Sequence, residues 1–163
     1  MGIEEALRYE IPYLHPLAVH FPLVLLMLAA GAAGGYAVLG TATWRYAVLA
    51  FLLLGVPSAY WAQRTGHTLE EAVEGEPAVE RFLDYHETAA AWTLRASIVA
   101  LLVVGGTTFW LRRRGRAGAD LSAVLSKEPL GLRLLVLVPA LAAAVLVAYT
   151  GHLGALMMWG VPR

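Results

Sequence analysis

The sequence predicts an all-α integral membrane protein, an up-down four-helix bundle with both termini on the outer side. Three observations predict it. The 163 residues are 59% hydrophobic and only 15% charged, with a mean hydropathy of +0.63, outside the balance of an ordinary soluble domain. Four segments, roughly 16–39, 46–63, 88–110 and 131–150, are apolar over about the 20 residues that a bilayer crossing needs. The basic residues gather between alternate segments: Arg45 follows the first, while Arg112, Arg113, Arg114, Arg116 and Lys127 follow the third, with Arg133 just beyond. By the positive-inside rule those connections face the cytoplasm. Residues 1–163 read as one domain.

Each element has its own signal. The first span carries Gly31 and Gly35, a small-xxx-small pair that lets helix backbones approach. In the second, Pro57 removes a backbone donor and is expected to kink the helix, with Ser58 beside it to satisfy a freed carbonyl. The outer segment 64–87 is acidic, holding Glu70, Glu71, Glu74, Glu76, Glu80, Asp84 and Glu87 against Arg64 and Arg81. Within it, "TLEE" at 68–71 has the form of a capping box, and Pro77 suits the first position of a helix. Val79, Phe82, Leu83 and Ala90 then keep helical spacing, so the third helix is expected to begin outside the membrane and run in unbroken. Gly105 and Gly106 lie on it, the basic inner loop spans 111–130, and the fourth span follows. Trp44 and Trp110 fall near the inner ends of the spans, and Trp61, Trp92 and Trp159 near the outer ends, as interfacial belts do. Glu4, Glu5 and Glu10 against Arg8 have the wrong sign for a signal peptide, so the first apolar run is expected to stay in the mature chain.

Composition also excludes chemistry. With 12 basic and 12 acidic residues the chain has no net charge to draw nucleic acid. With no cysteine, it forms no disulfide, thiolate zinc site, iron-sulfur cluster or covalent c-type haem, which leaves His, Met and carboxylates as ligands. Ser58 and Ser97 belong to no nucleophile motif.

All five histidines, His15, His20, His67, His86 and His152, fall at the outer ends of the spans, and every helix contributes. His15 and His20 are five apart, about 140° around a helix, too far to hold one ion from a single face. Pro16 biases His15 toward extended backbone and a capping role, whereas Pro22 fits the first turn of a helix that starts near Phe21, making His20 the inward candidate. First and third helices lie on a diagonal of an up-down bundle, so His20 with His86 is the first expected ligand pair, and His15 or His67 with His152 a second. Gly151 and Gly154 in "TGHLG" leave room for a flat ring or, equally, end the fourth helix. The plainer alternative for each histidine is a hydrogen-bonded boundary residue. Arg95, inside "AAAWTLRASIVALLVV", needs an acid partner such as Asp84 or a bound anion, for instance a haem propionate or quinone oxygen. Met157 and Met158 offer thioethers, or simply interfacial packing.

The opening "HPLAVHFPLVLL" and the closing "TGHLGALMMWGV" resemble the two signature ends of a bacterial family of four-span membrane proteins, domain of unknown function 2231. The resemblance covers most of the chain, His86 included, and departs from the family pattern at Ala155, Met157 and Met158. It implies a bacterial inner-membrane location and hints at respiratory electron transfer, since such domains occur beside cytochrome-like modules. The leading expectation is a b-type haem protein with one or two haems on these imidazoles, exchanging electrons with membrane quinol and a periplasmic cytochrome c or a larger respiratory complex. It reads as a carrier rather than a free-standing enzyme, and a homo-oligomer is left open. The alternatives are a copper or zinc site built from three or four of the histidines, His20, His86, His152 and His15 foremost, plus Met157 or Glu87, and a cofactor-free structural subunit.

Overall fold

The structure, a computed structural model, describes residues 13–73, 75, 77–116 and 128–160. Its elements are α1 (His15–Ala18), α2 (His20–Leu39), α3 (Ala42–Val73), α4 (Pro77–Arg116) and α5 (Leu130–Trp159), with no strand among the described residues. Four helices are long and apolar enough to cross a membrane: His15–Leu39, Ala42–Glu71, Val79–Arg114 and Leu130–Trp159. Of the residues behind the charge pattern, Glu4, Glu5, Arg8, Glu10, Glu74, Glu76 and Lys127 lie outside the described residues.

α2 packs on α3 and α5, α3 on α4, and α4 on α5. α2 and α4 therefore face each other across a diagonal, the arrangement expected for the first and third helices. The core is made of small side chains and a few larger ones. Ala29, Ala33 and Ala140 lie at the contacts and Leu26, Tyr36 and Leu52 fill the space between them, all fully buried. Alanine at the interfaces lets the helices approach closely, which is how packing is gained where lipid offers no hydrophobic driving force. The outer surface is apolar in turn, with Leu102 68% and Val145 66% exposed, as a lipid-facing wall requires.

The helices run further than hydropathy marked them. α3 continues ten residues past 63 and α4 begins eleven before 88, meeting at a tight turn where Gly75 adopts φ +89. The early, unbroken start of the third helix is as expected. The capping box is not: Thr68 sits inside α3, so "TLEE" caps nothing. Gly151 and Gly154 do not end the fourth helix, which continues to Trp159 and also absorbs Pro139. Pro57 lies within α3, and the Ser58 hydroxyl donates to the Gly55 carbonyl at 2.8 Å.

At the chain start, α1 begins at His15 with Pro16 in its first turn. Pro22, third residue of α2, lies in the first turn of that helix as expected and is buried. Its missing N–H leaves the Ala18 carbonyl without an i+4 donor, and the short break at Val19 between α1 and α2 falls there. Of the glycines, Gly35 lies hard against the Trp44 indole, where an added Cβ would stand 2.7 Å from the ring, whereas Gly31 and Gly106 face open space. The close approach is thus at Gly35 alone of the expected pair.

The end of the bundle with the arginines is locked by a buried ion pair. Arg45 is 2% exposed, and its Nε and Nη2 each donate to Glu128 at 3.1 Å. The Tyr36 hydroxyl donates to the same carboxylate. Gly40, left-handed at φ 68, ends α2, and its carbonyl accepts the Glu128 N–H at 3.0 Å. Arg133 donates to the Ala37 carbonyl at 2.8 Å. Arg45, expected only as a topological charge, therefore ties the starts of α3 and α5 to the end of α2.

Candidate functional site

The opposite end of the bundle brings imidazoles together. His15, on α1, and His86, on α4, stand with ring centroids 6.3 Å apart and planes at 85°. Both rings are half-buried. The His15 Nδ1 lies 3.0 Å from the Ala62 carbonyl and 3.3 Å from the Thr65 hydroxyl, and the His86 Nδ1 lies 3.0 Å from the Thr150 carbonyl. A carbonyl only accepts, so each Nδ1 carries the proton and donates, and in the neutral ring Nε2 keeps the lone pair.

The same local device seats both rings. Ala62 and Thr150 are helical residues whose i+4 neighbours are Gly66 and Gly154. A Cβ at Gly66 would lie 3.1 Å from the His15 ring, and one at Gly154 3.4 Å from the His86 ring. Each glycine opens its helix surface so that an imidazole from another helix reaches the carbonyl one turn back. Below His86, the Thr93 and Thr150 hydroxyls meet at 2.9 Å, continuing the polar layer into the bundle.

The other candidates are placed differently. His20 and His152 are exposed and make no side-chain hydrogen bond among the described residues; the ring that stands beside His86 is that of His15. The cause is the helix start: with α1 beginning at His15, that residue is no extended cap but sits in the first turn, where it reaches α3. Gly154 makes room for the His86 ring, which lies 3.4 Å from where a Cβ would stand. Arg95 is exposed, stacks over Trp92 at 5.1 Å, and makes no ion pair among the described residues. Helical spacing puts it on the far side of α4 from His86. Met157 is half-buried and Met158 exposed.

His67 meets two carboxylates. Its Nδ1 is 3.6 Å from Glu70 on the same helix and 3.5 Å from Glu87 on α4. Glu70, read from the sequence only as part of the acidic segment and the capping box, stands in a His67-x-x-Glu70 spacing, i, i+3, that puts two donors on one helix face.

Four apolar crossings, an inner layer of small side chains and a polar, imidazole-bearing end define a multi-pass membrane protein of the four-helix class. The chain belongs to the family described as predicted membrane protein (DUF2231), which matches residues 11–161. No curated protein and no solved structure matches it.

Proposed function

We propose that this protein is a redox carrier of the bacterial inner membrane in which His15 and His86 bind the iron of a b-type haem near the outer face. The observation that carries this reading is the pair of Nδ1-tethered rings with centroids 6.3 Å apart. Imidazole binds a metal at about 2.0–2.1 Å, and about 1.2 Å separates nitrogen from ring centre, so two rings on opposite sides of one metal have centroids roughly 6.5 Å apart. The donor set fits: haem iron takes neutral imidazoles, and metal-binding histidines commonly donate their second N–H to a backbone carbonyl, as Ala62 and Thr150 allow here. When bound, haem supplies one-electron exchange. The chain's part is to hold the Nδ1 protons, fix the ring planes through Gly66 and Gly154, and surround them with an apolar bundle.

The arginines at the other end, Arg112 to Arg114, support an orientation with the imidazole end outside and both termini there. Electrons would then pass between membrane quinol and a periplasmic partner, with the acidic α3–α4 hairpin as a docking face for a basic cytochrome c. A bare copper or zinc ion on the same two nitrogens is the second reading. It is favoured by the seating of the rings directly on Gly66 and Gly154, since an ion needs no slot for a macrocycle.

The test is the absorption spectrum and metal content of protein purified from haem-sufficient cells. A Soret band with a sharp reduced α band, lost in both His15→Ala and His86→Ala, is the expected result. Copper or zinc without porphyrin selects the second reading, and a colourless, metal-free protein overturns both in favour of a structural subunit.

A further inference from the structure

Beside the paired imidazoles lies a second donor cluster that this function does not use. His67 and Glu70 stand one turn apart on α3, and Glu87 reaches them from α4, directly after His86 in the chain. One donor atom from each lies within 4.8 Å of the other two. The contacts from His67 Nδ1, at 3.6 and 3.5 Å, are longer than good hydrogen bonds, whose heavy atoms sit at about 2.7–3.2 Å. These two separations match a different geometry: donors at about 2.0–2.2 Å from a tetrahedral zinc stand roughly 3.3–3.6 Å from one another. Among the described residues no Lys or Arg pairs with Glu70 or Glu87, and the two carboxyl groups lie within hydrogen-bond reach of each other.

We propose that His67, Glu70 and Glu87 bind a divalent first-row cation, zinc fitting one imidazole and two carboxylates best, and so clasp α3 to α4 beneath the hairpin turn. Solvent completes the coordination, since the cluster lies at the exposed end of the bundle. The site stands on its own donors and does not depend on haem at His15 and His86.

The experiment is calorimetric titration of zinc into chelator-stripped, tag-free protein in detergent, with cobalt absorption as a second readout of the ligand set. One ion per chain is expected at this cluster, besides any held by the imidazole pair, with affinity at the cluster falling at least tenfold in each of Glu70→Gln, Glu87→Gln and His67→Ala and staying within about twofold in His15→Ala and His86→Ala. Each variant is checked first for helicity and monodispersity, and if one fails to fold the other two decide. No zinc uptake by the parent, or uptake unchanged in the variants, overturns the proposal. Loss confined to His15→Ala and His86→Ala assigns the ion to the imidazole pair and overturns it as well.

Discussion

Replacing Glu128 by Ala strips Arg45 of its buried partner, and the structure sets the scale of the damage. The Arg45 side chain is 3% exposed and that of Glu128 17%, so the guanidinium cannot turn to water once the carboxylate is gone. Two charge-assisted hydrogen bonds, at 3.1 Å each, and the Tyr36 hydroxyl bond are lost together. Hydrogen bonds to charged groups contribute about 1.5–3 kcal/mol each, and breaking a buried ion pair from one side costs about 3–5 kcal/mol. Glu128→Ala is therefore expected to lose about 3–5 kcal/mol, and Glu128→Gln, which keeps one acceptor, about half of that. Arg45→Met combined with Glu128→Leu removes both charges and is expected to recover at least about 2 kcal/mol of the single-variant loss. The assay is equilibrium unfolding in mixed micelles of rising SDS fraction, followed by tryptophan fluorescence from the five indoles. A Glu128→Ala protein within about 1 kcal/mol of the parent, or a double variant that is simply additive, refutes the reasoning.

Gly35→Ala puts a methyl 2.7 Å from the Trp44 ring and is expected to cost about 1–3 kcal/mol, whereas Gly31→Ala, into open space, should be neutral or stabilising by a few tenths of a kcal/mol; the same unfolding assay compares them. Gly66→Ala, 3.1 Å from the His15 ring, should destabilise by about 1 kcal/mol and shift any absorption band that depends on His15, which a spectrum against the parent reveals. His20→Ala and His152→Ala, both exposed, should leave stability within about 0.5 kcal/mol and the spectrum unchanged. The absence of native cysteine makes topology directly readable: in intact spheroplasts an impermeant maleimide should label Arg81→Cys and spare Arg113→Cys, and the reverse pattern would invert the proposed orientation.

The four crossings were legible because a bilayer imposes a length of apolar chain that few other demands produce. Helix ends were less so. Hydropathy falls at 64 and returns at 88, but backbone hydrogen bonding is indifferent to side-chain polarity, so α3 and α4 carry on through Glu70 and Glu87 until Gly75 turns the chain. Which imidazoles meet depended on one residue's backbone. Pro16 constrains the residue before it and also favours the first turn of a helix, and only the second effect places His15 against Ala62. The glycines one turn beyond each accepting carbonyl were visible as letters, but their partners lie on other helices. Arg45 and Glu128 are 83 positions apart; a lone arginine in "ATWRYAVLA" and one of the two acids of a basic loop, at its far end, were the available hints.

The α3–α4 hairpin carries seven residues of α3 beyond Gly66, about 10 Å at helical rise. α3 is helical from Gly66 to Val73 and α4 from Pro77 to His86. Anything that grips the hairpin therefore grips the same two helices that carry His86 on one side and the Ala62 and Gly66 seat of His15 on the other.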